Sequence, residues 1–164
     1  MKVGRGGFRM LRREQLLQEL VHDSYKSRYK LPEPSACPKC GATLHEGRWT
    51  WKAAPAGAHQ HMCPACSRIQ DEFPAGYVTL TGEFLHEHRD EIIQLIKHCE
   101  TTEKSEHPLE RIMAIEDVKE GLLVKTTDSH LARKIAERLH SAYKGTLEFR
   151  YNKEDNLLRV LWSR

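Results

Sequence analysis

The chain has 164 residues, of which 30% are charged and 39% hydrophobic, with a formal net charge of +3. That is room for one or two small domains and too little for a large enzyme core. No run of about 18 apolar residues occurs, so no membrane span or membrane partner is expected, and Met1-Lys2-Val3-Gly4-Arg5 does not open a secretory signal.

The charge is unevenly spread. Residues 1–34 carry eight Lys/Arg against four Asp/Glu, residues 81–110 three against eight, and residues 111–164 eleven against eight. A basic arm, an acidic connector and a mildly basic end point to an anionic partner for the arm. Residues 1–13 combine Lys2, Arg5, Arg9, Arg12 and Arg13 with three glycines. They read as a flexible tail, able to contact phosphates through counterion release or simply solvated. Met10, Leu16, Leu17, Leu20 and Val21 predict a short amphipathic helix that needs a partner surface. Tyr25-Lys26-Ser27-Arg28-Tyr29-Lys30 interleaves cations with aromatics, a pattern that stacks bases or packs a linker on its neighbour. Leu31-Pro32-Glu33-Pro34 is a stiff, extended lead-in.

Cys37-Pro38-Lys39-Cys40 and Cys63-Pro64-Ala65-Cys66 follow, with twenty-two residues between them. Four thiolates in two such pairs close a tetrahedral site for one structural Zn2+. The competing reading is two independent thiol pairs, redox-active or disulfide-bonded. Gly41 supplies a positive φ after the first knuckle. Arg48-Trp49-Thr50-Trp51-Lys52 predicts a strand with both tryptophans on one face, as apolar cover or as a base-stacking surface. His59-Gln60-His61-Met62 is expected to return as the paired strand. His45, His59 and His61 are rival ligands that four cysteines make unnecessary. Arg48, Lys52 and Arg68 would give this ribbon a cationic surface.

Tyr77-Val78-Thr79-Leu80 predicts a short strand closing the ribbon. Phe84, Leu85, Ile92, Ile96 and Cys99 then recur on one helical face, with acids near its start, and Pro108 ends the helix. Arg111 to Glu116, with Ile112, Met113, Ala114 and Ile115, and Leu122–Thr126 predict two strands around a turn near Lys119-Glu120-Gly121. Thr127 or Asp128 caps a helix with Leu131, Ile135 and Leu139 on its apolar face, and Gly145 stops it. Leu147, Phe149 and Tyr151, then Leu158, Val160 and Trp162, alternate as a final hairpin. The expected class is α+β: a small zinc ribbon followed by a helix and a ββαββ antiparallel-sheet domain. The expected divisions are a basic arm, partly flexible (1–34), the ribbon (35–80), an acidic connecting helix (81–107) and the ββαββ domain (108–164).

No catalytic chemistry stands out. Four cysteines leave no open zinc position, and there is no His-Glu-x-x-His, P-loop or Gly-x-Ser-x-Gly. His130, Glu137 and His140 lie along one helix near its solvent side, and a catalytic role for them is not expected. We expect no enzyme, no small-molecule substrate and a cytoplasmic location, the cysteine usage suiting a reducing compartment.

Several runs carry a family likeness: Tyr25-Lys26 through Pro34, Cys37-Pro38-x-Cys40-Gly41-Ala42, Gly47-Arg48-Trp49-x-Trp51 and Cys63-Pro64-Ala65-Cys66-x-Arg68-Ile69. Tyr77–Leu80, His107–Met113, Leu131-Ala132-Arg133 and Tyr151–Val160 extend it. From about residue 22 the chain resembles a group of small uncharacterised bacterial zinc-ribbon proteins. That group is distantly similar to the archaeal and eukaryotic nuclear-export adaptor of the large ribosomal subunit, which carries more cysteine pairs. The amphipathic stretch at Met10–Val21 departs from the basic start of the group. The resemblance implies a ribosome- or RNA-associated role without a defined activity. The expected nucleic-acid contacts are Arg5, Arg9, Arg12, Arg13, Lys26, Arg28, Lys30, Arg48, Lys52 and Arg68, serving RNA or a ribosomal particle in assembly, storage or stress. The alternative is a protein–protein adaptor that binds its partner through the C-terminal domain.

Overall fold

The structure is a computed structural model that describes Arg9, Met10, Tyr25 and residues 30–164. Arg5, Arg12, Arg13, Lys26, Arg28 and most of the amphipathic stretch lie outside the described residues. Among the described residues two sheets and four helices form an α+β fold, with the four cysteines in the N-terminal part.

The smaller sheet is the ribbon. Its strands are β2 (Ser35–Ala36), β3 (Thr43–His45), β4 (Arg48–Thr50) and β5 (His59–Gln60), after β1 (Arg9–Met10) of the other sheet. The spatial order is β4-β3-β2-β5. The expected pairing of the tryptophan strand with His59–Met62 is corrected here: β4 pairs with β3, and β5 runs parallel to β2. The cause is local. Glu46 and Gly47 both take positive φ, 49° and 76°, which closes a two-residue hairpin of the right twist. The Glu33 carboxylate accepts from both of their N–H groups, at 3.1 and 2.8 Å.

The second cysteine pair begins a helix, α1 (Pro64–Asp71), with Pro64 in its first turn and the Cys63 sulfur accepting from Cys66 N. A thiolate here does the work of the usual side-chain oxygen cap. Tyr25 rests against this helix: its hydroxyl donates to Asp71 and its ring stacks on Phe73.

The larger sheet is built on β6 (Gly76–Thr81). The connector is two helices, α2 (Glu83–Glu87) and α3 (Arg89–Glu106), joined at His88. Then come β7 (Ile112–Val118), β8 (Gly121–Thr126), α4 (Ser129–Tyr143), β9 (Thr146–Asn152) and β10 (Leu157–Ser163). The order is β1-β9-β10-β6-β8-β7. Here the structure departs from an all-antiparallel ββαββ sheet. The strand read as closing the ribbon lies inside this sheet, antiparallel to β8 and parallel to β10. It joins two hairpins that have no direct pairing with each other.

Alternation explains the layering. Val78 and Leu80, Leu122 and Val124, Leu158, Val160 and Trp162, and Phe149 bury one face of the sheet. Leu131, Ile135 and Leu139 of α4 meet them, and Ile92, Ile96 and Cys99 of α3 extend the same core, as does Leu85 of α2. Each such Leu or Ile contributes about 2 kcal/mol by burial. Asp128 caps α4 by accepting from His130 N at 2.7 Å. Gly145, at φ 91°, turns the chain where a Cβ would strike the Ser163 carbonyl. The Trp162 indole donates to Lys144 O at 2.8 Å, closing the end of α4 on the sheet.

Candidate metal centre

The two knuckles bring Cys37, Cys40, Cys63 and Cys66 together, with their sulfurs all within 4.8 Å of one another. Cys37 and Cys40 sit in the turn between β2 and β3. There Cys37 N donates to Ala42 O, Gly41 N donates to Cys37 O, and Gly41 takes φ 81°. All five cysteines are free, so neither pair is a disulfide. The Cys40 and Cys63 sulfurs are 3.8 Å apart. A tetrahedral ion with metal–sulfur bonds of about 2.3 Å needs sulfur–sulfur edges of about 3.8 Å. The donor set therefore fits one ion, held by four sulfurs. His45, His59 and His61 stand outside this group.

The sulfurs are sheltered. Cys37, Cys63 and Cys66 are buried, Cys40 is half-buried, and Ala42, Ala65, Trp49, Met62 and Leu109 pack around them. Burial pushes the Cys63 and Cys66 thiols up, with the Arg111 charge pulling against it. Burial also acts on Cys37, but the backbone N–H groups of Cys63, Cys40 and Lys39 outweigh it and bring that thiol down to about 7.

One residue reaches the cluster from the larger sheet. Arg111, just before β7, donates through one terminal nitrogen to Cys66 Sγ and through the other to Cys40 Sγ and Cys63 Sγ, each at 3.2 Å. Its Nε donates to Pro108 O at 2.7 Å, and the residue is only 7% exposed. Its neighbours in sequence offered a single signal, a lone cation ahead of an apolar strand, and nothing there marks a sulfur target.

No known protein family matches this chain, and neither the curated proteins nor the solved structures yield a match.

The predicted cationic residues divide. Lys30 and Arg48 line a cleft of about 1250 Å³ between the ribbon and the larger sheet's helices, beside Trp49 and His61. Lys52 is exposed. Arg9 pairs with Tyr151 through the β1–β9 ladder, far in sequence from the ribbon cations. Arg68 is not available for phosphate contact, which corrects the expectation. It is 1% exposed, its guanidinium lies 4.3 Å from the Tyr25 ring centroid, and it donates to Phe73 O at 3.1 Å. The helical periodicity of α1 turns it inward, something Cys66-x-Arg68 alone could not show.

The cleft lining also includes Glu106, Glu110 and Asp128, together with His107, His130 and Lys134. Glu103, His107 and Glu110 form a second group with potential ligand atoms within 4.8 Å. Lys134 already serves it as the cation: its Nζ bonds Glu103 and lies 3.8 Å from Glu110 Oε1. Burial, with Asp128 and Glu103 nearby, raises the Glu110 carboxyl to about 7 against the pull of Lys134 and His130. Across the sheet, register aligns Arg150, Arg159, Tyr77 and Lys125 in one row over four strands. Arg159 lies 4.5 Å from the Tyr77 ring centroid, while Arg150 and Lys125 are paired with Glu148 and Glu116. Among the described residues no helix is long and apolar enough to cross a membrane.

Proposed function

We propose that this protein is a non-catalytic zinc-binding module that associates with RNA or a ribosomal particle. The observation that carries the metal half is the closed set of four sulfurs with Arg111 against three of them. Four cysteine sulfurs in two C-x-x-C knuckles are a donor set for zinc, and they leave no position for a reacting water. The ion supplies folding free energy, on the order of 10 kcal/mol in small modules, to a ribbon with little apolar core.

The RNA half is supported by Lys30 and Arg48, which line the cleft together with Trp49, and by the cross-strand row of cations around Tyr77. Cations for phosphate and rings for unpaired bases are what single-stranded RNA requires. The sequence resemblance to bacterial zinc-ribbon proteins points the same way. The test is binding of the zinc-loaded full chain to ribosomal RNA over a salt series, with co-sedimentation of ribosomal particles. Binding should fall steeply with salt, and K30E/R48E should weaken it several-fold. No binding at low salt and no co-sedimentation would discard the RNA half.

A second reading has its own observation. Glu106 and Asp128 also line the cleft, beside a Glu110 already engaged by Lys134, and their charge is unfavourable to phosphate. They favour an adaptor that grips a basic protein segment, and pull-downs that survive nuclease and high salt would select it.

A further inference from the structure

We infer that Arg111 is the built-in counter-ion of the four-cysteine centre, a positioning residue that makes metal loading and docking of the ribbon on the larger sheet one event. The inference rests on the metal-binding reading of the cysteines and not on RNA contact.

The argument is one of charge. A divalent ion with four thiolates is doubly negative, and three of the four sulfurs here belong to buried residues. Such a cluster needs positive charge and N–H donors from its surroundings, because water cannot supply them. Arg111 supplies both. Among the described residues its guanidinium's hydrogen-bond acceptors are the Pro108 carbonyl and three sulfurs, with no carboxylate. The adjacent Glu110 pairs instead with Lys134.

The converse is equally telling. A guanidinium at 7% exposure is costly without an anionic partner. Neutral thiols are weak acceptors and would not compensate it. The buried arginine and the anionic sulfurs each account for the other.

The delivery is rigid. Arg111 N donates to Thr127 Oγ1 at 2.9 Å, Thr127 N donates to Arg111 O at 2.9 Å, and Arg111 Nε is clipped to Pro108 O. The guanidinium is thus presented by the start of β7 and the end of β8, while its sulfur partners belong to the ribbon. Planar, forked donors span three sulfurs in a way a lysine ammonium cannot.

The experiment uses the full chain loaded with Co2+ as a spectroscopic stand-in for zinc, in wild type, R111M and R111K. Loss of the N–H donors should move the sulfur-to-cobalt charge-transfer band of R111M to longer wavelength and speed metal transfer to a chelator about 10- to 100-fold. R111K, which keeps the charge without the fork, should fall between. Amide exchange at Arg111 and Thr127 should rise on metal removal in wild type. A folded R111M with the wild-type band and release rate would overturn the inference, as would exchange that ignores the metal. Should R111M not fold, R111K decides, and wild-type behaviour there overturns it. A wild-type chain that takes up no Co2+ would instead sink the metal-binding reading, and with it this one. Failure to bind RNA would touch neither.

Discussion

The indole Nε1 of Trp51 donates to the carbonyl oxygen of Lys104 at 2.6 Å. Lys104 lies in the last turn of α3, where carbonyls have no helical partner. The bond therefore fills an orphan acceptor and ties the ribbon to the helix layer. W51F keeps the ring and removes the donor, and it should cost about 1 kcal/mol. Urea unfolding checks the cost. Faster amide exchange confined to the ribbon and the end of α3 would locate it.

The thiols should titrate in two stages. In the metal-loaded native chain four are coordinated and Cys99 is 0% exposed in the core. Alkylation should then be negligible. A chelator should release one ion per chain and expose four thiols, with the fifth reacting only on unfolding. Five reactive thiols in the native chain, or a release ratio of one ion per two chains, would contradict the arrangement.

Glu110 should make stability fall with pH. Its native carboxyl titrates near about 7, above the usual 4.5, so the folded chain holds that proton more tightly than the unfolded one. The stabilising contribution is complete below about pH 4.5 and is lost as pH rises through about 7. E110Q should remove this dependence. Its stability relative to wild type should improve, on the order of 2 kcal/mol, between about pH 5 and about pH 8. Denaturant unfolding of the pair across that window measures it; parallel curves would refute it.

Arg68 and Arg48 should separate cleanly. Arg68 is enclosed by Tyr25 and Phe73, so R68A should destabilise by about 3 kcal/mol. R48A, at an exposed strand position, should stay within about 0.5 kcal/mol of wild type and act on RNA affinity instead. Unfolding and binding curves on the same two proteins give both answers.

Much of the fold was readable from local pattern. Leu131, Ile135 and Leu139 mark α4, Asp128 its cap, and alternation over Leu147–Tyr151 and Leu158–Trp162 the last hairpin. The four cysteines were readable because their chemistry lies in their spacing. What escaped was pairing between distant segments. Tyr77–Leu80 alternates like any strand, and nothing in it names Arg159–Trp162 as its parallel neighbour. Arg111 and Arg68 escaped for a related reason. A cation's partner is set by where the chain folds it, and a ring stack or a sulfur cluster leaves no periodic trace beside it.

The central place of β6 shapes how this molecule assembles. The β7–β8 and β9–β10 hairpins can each zip up from neighbouring residues within microseconds. They come together only when Val78 finds Val160, across roughly eighty residues of chain. Closing that gap is the slow, entropy-limited passage, and until it happens both hairpins present bare edges that invite the wrong neighbour.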